Sequence, residues 1–292
     1  MSRFKADLAL AFNTIVWGAT FVVVKAALDD VTPLLFLALR FGLASTALLL
    51  VYGRRVRRKW DWKAAGAGSV AGVFLFGGYA LQTIGLRLTS APKSAFLTGL
   101  TSVMVPLIGS LVYRIRPQLS EVLGVLVATA GLALMTLEGA IGTISRGDLL
   151  TVLCAVAFAA HIVTLGHFSE QMSFEILSVF QVVAAAALAV CLYPWAETPH
   201  VRWRPAVAGA ILITGLLATA LAFTIQAWAQ QYTTSTRTGL IYMLEPVVAW
   251  IVSFMIVGEG LAARAAAGAV LILGGVLLVE LKPLNARLHP SE

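Results

Sequence analysis

The chain has 292 residues, of which 59% are hydrophobic and only 12% charged, with a mean hydropathy of +0.89. That composition excludes an ordinary soluble domain and points to an integral membrane protein. The net charge of +7 does not describe a nucleic-acid surface, because the basic residues fall between apolar runs instead of on a foldable soluble face.

A helix needs about 20 apolar residues to cross roughly 30 Å of hydrocarbon. Runs of that length predict ten spans, near residues 7–27, 33–53, 63–86, 92–113, 119–138, 148–167, 173–193, 205–230, 235–257 and 263–281. Only a few residues separate neighbouring spans, so nothing remains for a soluble lid or a nucleotide-binding cassette. The first run follows Arg3 and Lys5 as a signal peptide would. It extends to Val24, too long for a typical signal core, and reads as a retained helix.

Residues Arg54, Arg55, Arg57, Arg58, Lys59 and Lys63 form a basic cluster between the second and third spans, and such a cluster anchors a loop in the cytoplasm. With that loop inside, 13 of the 21 Lys and Arg residues lie inside and 7 outside, while Arg40 lies within a span. Arg237 is counted among the inside residues. Both termini are expected in the cytoplasm, and the protein in the cytoplasmic membrane. Cys154 and Cys191 fall within spans and are expected to be small buried packing residues, with no disulfide or metal site.

Polar and aromatic residues inside a span are costly unless they face protein or water. The first span carries Asn13 and Trp17 four residues apart, and the third carries Tyr79 and Gln82. In the fourth, Thr98 and Thr101 share a face. The sixth offers His161 with Thr164, the eighth Thr219, Phe223 and Gln226, and the ninth Tyr242 and Glu245. Spacings of three and four put each set on one helix surface. These six helices are expected to enclose a pathway, and the mainly small and aliphatic fifth and tenth to lie outside it. Interhelical hydrogen bonding explains a single Thr or Gln equally well.

Pro106 and Pro246 interrupt the fourth and ninth spans behind Gly99 and Gly239. Each removes a backbone donor and bends the helix, as a hinge or as a fixed kink. Glu245, near mid-span, is a candidate proton carrier or a structural hydrogen-bond partner. His161 either recognises solute or is a satisfied interior histidine. Arg40 is expected to pair with a carboxylate or with helix carbonyls. Gly68 and Gly72 and the small faces of the fifth and tenth spans permit close helix packing, and leave monomer and homodimer equally open.

The chain also repeats. A shift of 141 residues lays Asp7 on Asp148, Trp17 on Phe158 and Arg40 on Gln181; a shift of 144 lays Gln82 on Gln226, Gly124 on Gly268 and Gly131 on Gly275. Thr98 to Pro106 and Thr238 to Pro246 match at a shift of 140. An odd number of spans per copy inverts the second copy in the membrane. The expected fold is therefore an all-α integral membrane protein, ten transmembrane helices in two inverted five-helix repeats, 1–140 and 141–292, around a central cavity.

These residues resemble the EamA type of the drug/metabolite transporter superfamily. The resemblance rests on Trp17-Gly18-Ala19-Thr20-Phe21 with Lys25, Leu39-Arg40-Phe41 with Ala44, and Thr89-Ser90-Ala91. In the second half it rests on Leu244-Glu245-Pro246-Val247, Gly258-Glu259 and Gly268-Ala269-Val270-Leu271-Ile272 with Gly275. The first half departs from the pattern, with Arg114-Ile115-Arg116 where the second has Gly258-Glu259, so no role needing paired acids is carried over. Within the superfamily the chain is most similar to YddG-like exporters of aromatic and other amino acids. The resemblance implies export of small metabolites through a ten-helix bundle whose fifth and tenth helices are peripheral.

Together these readings predict a secondary active transporter, not an enzyme, that works by alternating access on a small-molecule substrate in the lipid bilayer. No cofactor and no nucleic-acid partner are expected. Trp17, Tyr79, His161, Phe223 and Tyr242 would form a largely uncharged cavity, with Asn13, Gln82, Thr98, Thr101 and Gln226 along the pathway. A passive facilitator fits the same bundle. A sugar-phosphate or nucleotide-sugar exchanger would want more internal cations, and a membrane-embedded enzyme around His161 and Glu245 lacks a recognisable nucleophile or metal set.

Overall fold

A computed structural model describes residues 3–88, 94, 97–114, 116–136, 145–248, 251 and 263–281. The expectations resting on Thr89, Ser90, Ala91, Lys93, Gly258, Glu259, Lys282 and Arg287 lie outside the described residues. So does the predicted junction between the two halves.

Among the described residues the fold is all-helical apart from an isolated bridge between Val31 and Val201. In chain order the helices are α1 (Arg3–Ala27), α2 (Pro33–Arg58), α3 (Trp62–Leu88), α4 (Thr101–Tyr113), α5 (Leu119–Thr136), α6 (Arg146–Ser169), α7 (Phe174–Ala196), α8 (Pro205–Ala229), α9 (Ser235–Tyr242) and α10 (Ala263–Leu281). Among the described residues, α1, α2, α3, α6, α7 and α8 are long and apolar enough to cross a membrane, and Leu97–Tyr113, Leu119–Leu134 and Ala263–Val279 are shorter apolar helices.

Local sequence explains several helix ends. Pro33 and Pro205 open α2 and α8, where a missing N–H costs no helical hydrogen bond. Ser145 and Asp148 form a reciprocal capping box at α6, and the Thr234 hydroxyl accepts from the Arg237 N–H at α9. Helix α2 runs past the expected end at 53, because Arg55, Arg57 and Arg58 suit the negative end of the helix dipole.

Two helices break near the expected bends, though not at the prolines. The helical turn from Leu97 stops at Leu100, beside Gly99, and α4 then runs unbroken through Pro106. After α9 the chain makes a tight turn at Met243 and Leu244, with Met243 N–H donating to Leu240 O and Leu244 N–H to Ile241 O, and helix resumes at Glu245. Gly239 lies inside α9, where its missing side chain admits Ser102 and Val105 of α4.

The main apolar core joins α2, α3, α7 and α8 through Phe36, Phe41, Leu75, Val182 and Phe223. Outward, Leu50, Leu111 and Trp195 are 81%, 84% and 88% exposed, which suits a lipid-facing surface and not a watery one. Trp60 and Trp62 mark one end of the bundle, and Trp195 and Trp203 mark the other, as interfacial aromatics do. Cys191 is on this outer face, exposed, contrary to the expectation that it is buried; its position in α7 turns it away from the core. Cys154 is buried.

Contacts between the halves recur with the halves exchanged. Trp17 meets Ala218 through an indole hydrogen bond, and Phe158, its counterpart in the repeat, packs on Gly78. Gly215 faces the Arg40 carbonyl and Leu43, while Gly72 faces the Gln181 carbonyl and Ala184. Helices α5 and α10 cross antiparallel, with Gly124 against Gly275 and Gly131 against Gly268. Gly68 and Gly72 seat α3 on α7 within this chain.

A Cβ at Gly275 would stand 2.6 Å from the Gly124 carbonyl oxygen and 2.9 Å from Ala128. Backbone cannot swing aside as a side chain can, so Gly275→Val is expected to cost about 1–3 kcal/mol by overpacking. Its thermal unfolding in detergent should fall below that of wild type, while Gly42→Ala, where nothing lies within 4 Å, should match wild type.

Candidate functional site

The site is built around a defect in α8. From Leu216 to Leu221 this helix widens into a π turn, which changes the hydrogen-bond register and leaves backbone carbonyls available to other helices. Ala218 O accepts from Trp17 Nε1 at 2.8 Å and from Arg40 Nη2 at 3.2 Å. Just beyond the turn, Ala222 O accepts from Asn13 Nδ2 at 2.7 Å. The Thr219 hydroxyl donates to Thr214 O and accepts from Arg40 Nε at 2.7 Å. One irregular turn thus fixes three side chains from α1 and α2.

Trp17 and Arg40 border a cavity of about 150 Å³. Its aromatic wall centres on Phe223, with ring centroids 5.5 Å from Trp17, 6.2 Å from Tyr79 and 5.5 Å from His161. Tyr242 stands edge-on to Trp17 at 4.8 Å, and Phe158 edge-on to Tyr79 at 5.2 Å. Such arrangements hold rings in register and are worth about 0.5–1.5 kcal/mol each beyond burial.

Of the residues singled out from sequence, Trp17, Tyr79, Gln82, Thr98, Thr101, His161, Phe223, Gln226, Tyr242 and Glu245 line this cavity, as do Gly99 and Pro246. Asn13 does not. It is fully buried, its side-chain amide donating to Ala222 O. Pro106 and Gly239 also lie off the cavity, which receives no residue of α5 or α10.

Several polar groups are committed to neighbours. Gln181 Nε2 donates to Phe223 O at 3.4 Å, so its Oε1 accepts, and His161 Nε2 is the donor across the 2.7 Å contact. His161 is therefore a satisfied interior histidine that also borders the cavity. Gln82 reaches Thr98 Oγ1 at 3.4 Å, Thr101 donates to Thr98 O, and Gln226 donates to Gln230 Oε1.

The lining is largely uncharged, but Arg40 and Glu245 are both part of it. Arg40 meets a helix carbonyl, one of its two expected partners, and no carboxylate pairs with it among the described residues. Glu245 makes no hydrogen bond among the described residues and lies within electrostatic range of Tyr79, Cys154 and Tyr242. Sequence reasoning missed Thr20, Thr83, Ser102 and Phe158 as lining residues. Thr20 and Thr83 lie one turn and one residue from Trp17 and Gln82, so extending those stripes finds them; Phe158 carries no such signal in an apolar run beyond its pairing with Trp17.

One end of the bundle is held together by a buried ion pair. Asp7 Oδ2 pairs with Arg237 Nη2 at 2.9 Å, both side chains buried, Thr233 donates to Asp7 Oδ1 at 2.8 Å, and Arg237 Nη1 donates to Val279 O at 2.9 Å. Arg237 is thus a buried ion-pair residue and not the loop cation expected; α9 starts at Ser235, so Arg237 falls in its first turn. The α1 residues that line the cavity, Trp17, Thr20 and Val24, run away from this pair. They lead toward the opposite end, where Arg204 pairs with Asp30 and the Glu197 carboxylate accepts from the Leu34 and Leu35 N–H groups.

Known proteins resemble the whole of this arrangement. The sequence model of the EamA-like transporter family matches twice, over residues 4–137 and 145–281. An uncharacterized transporter of Archaeoglobus fulgidus is 35% identical over 284 residues, covering 97% of this chain and 88% of its own. The uncharacterized transporter YyaM of Bacillus subtilis is 27% identical over 287 residues, covering 95% and 94%. One solved crystal structure superposes with a TM-score of 0.80 at 22% identity, covering 99% of this chain and all of its own, a likeness of fold.

Proposed function

Since the chain belongs to the EamA-like transporter family and is a multi-pass membrane protein, we propose that it is a secondary active transporter that exports amino acids, aromatic ones included, by alternating access. The observation that carries this reading is the aromatic-walled cavity between the halves, bordered by Trp17, Tyr79, Phe158, Phe223 and Tyr242. Rings at several angles accept an apolar or aromatic side chain, while Gln82, Thr98 and Gln226 offer a sparse set of polar contacts. Export of amino acids follows the resemblance to YddG-like proteins.

The transporting unit is taken to be ten transmembrane helices in two inverted five-helix repeats, 1–140 and 141–292. Exchange of halves in the Trp17/Phe158, Gly215/Gly72 and α5/α10 contacts supports it, since a two-fold axis between the repeats generates such pairs. Both termini are placed in the cytoplasm, on the side of the basic α2–α3 loop. The Asp7–Arg237 pair then closes the cytoplasmic end, and the cavity extends toward the outside.

Counterflow of labelled phenylalanine in proteoliposomes tests the proposal. Trp17→Ala and Tyr79→Ala are each expected to raise the half-saturating concentration about tenfold, the equivalent of about 1.4 kcal/mol. Unchanged half-saturation in both would remove the cavity from the transport path. Saturable counterflow with no uphill accumulation under any ion gradient would make the protein a facilitator.

A further inference from the structure

Arg40 carries a charge two turns into α2, a helix of membrane-spanning length, where burying a cation is costly unless it is paired or hydrogen-bonded. It is 3% exposed. Its Nε is held by Thr219 Oγ1, and its Nη2 by Tyr79 Oη at 3.1 Å and Ala218 O. The guanidinium also lies over the Tyr79 ring, 4.4 Å from its centroid. These contacts fix the plane of the fork and supply partial negative charge, yet none supplies an anion. Nη1 donates to nothing among the described residues, and the side chain lines the cavity. Glu245, the acid in the same lining, forms no ion pair with it.

A buried guanidinium held on two nitrogens, with the third unengaged among the described residues and the side chain bordering a cavity, has the chemistry of an anion site. A neutral glutamine would hold the π turn without the cost of a buried charge. We propose that Arg40 is the substrate anchor, binding a carboxylate of the transported solute through Nη1 while Tyr79 and Thr219 position the fork. A single cation suits a monoanionic carboxylate and not a phosphate, whose second charge would lack a partner. The aromatic rings then receive the remainder of the solute. This assignment rests on the cavity's being the transport site, and it restricts that site to solutes bearing a carboxylate.

The full-length protein, purified in detergent, is titrated with phenylalanine, 3-phenylpropionate and phenethylamine, which share a ring and differ in charge, with binding followed by thermal shift. The two carboxylates are expected to bind wild type at least about tenfold more tightly than the amine. Arg40→Gln should erase that preference by weakening the two carboxylates, and Thr219→Val should weaken carboxylate binding less. If phenethylamine binds as well as the carboxylates, or if the preference survives in Arg40→Gln, the anchor is refuted, although phenylalanine counterflow can still uphold the amino-acid reading. Arg40-dependent binding of 3-phenylpropionate without phenylalanine transport would uphold the anchor and reject the amino-acid substrate. No binding of any of the three overturns both. Should Arg40→Gln fail to purify, the wild-type series decides alone.

Discussion

Replacing Asp7 with asparagine is expected to destabilise the protein by about 3–5 kcal/mol, because it leaves the buried Arg237 guanidinium facing a neutral amide. The pair ties the start of α1 to the start of α9, and Arg237 Nη1 extends it to the last turn of α10 through Val279 O. One carboxylate thus secures three helices. The loss should appear as a clear fall in the melting temperature in detergent. Adding Arg237→Gln should restore part of it, since the second change removes the charge that Asp7 balanced. The substitution also bears on the transport cycle. A pair that joins α1 to α9 at one end of the bundle favours the state in which they meet there, and its loss shifts the population the other way. A cysteine placed at Leu10, buried behind the pair, in a background with Cys154→Ser and Cys191→Ser, should then react faster with a soluble thiol reagent. Melting within a degree of wild type and unchanged labelling would show that the pair neither holds nor biases the closed end.

Much of the fold is legible in the sequence because membrane insertion leaves few choices. Apolar runs of span length locate the helices, and α7, expected over 173–193, runs Phe174–Ala196. The cavity lining is legible for a related reason, since an aromatic or amide at mid-span needs a protein or water neighbour. Trp17, Tyr79, His161 and Phe223 stand out on that ground and meet around one cavity. The remainder depends on partners that no pattern names. The segment from Leu216 to Leu221 contains neither Pro nor Gly, so nothing along the chain announces the π turn that turns Ala218 O toward Trp17 and Arg40. Asn13 shares a helical stripe with Trp17, yet a bond to Ala222 O draws it out of the lining. Arg237 reads as a loop cation beside polar turn residues, and only Asp7, 230 residues away, shows it to be buried. Glycines are visible as spacings, but which backbone they admit is decided by tertiary contact.

Substituting Glu245 with glutamine is expected to abolish uphill accumulation driven by a proton gradient while leaving counterflow largely intact. Glu245 is the acidic side chain in the cavity lining, and it stands where helix resumes after the Met243–Leu244 turn. Among the described residues it accepts no hydrogen bond and joins no ion pair, so no fixed partner holds it in one protonation state. Around it are the Tyr79 and Tyr242 hydroxyls, the Cys154 thiol and, on the same cavity, Arg40 and His161. His161 is a poorer carrier, because Gln181 engages its Nε2 and the Phe223 carbonyl fixes that amide. Glutamine keeps the shape and loses the proton, so exchange of solute for solute can proceed while coupling to protons cannot. His161→Gln should therefore still accumulate phenylalanine against its gradient, and Glu245→Gln should not. Equal uphill transport by Glu245→Gln and wild type from pH 5 to pH 8 would reject the carboxyl as carrier. The drive would then have to come from an exchanged solute, which an imposed counter-gradient of amino acid would reveal.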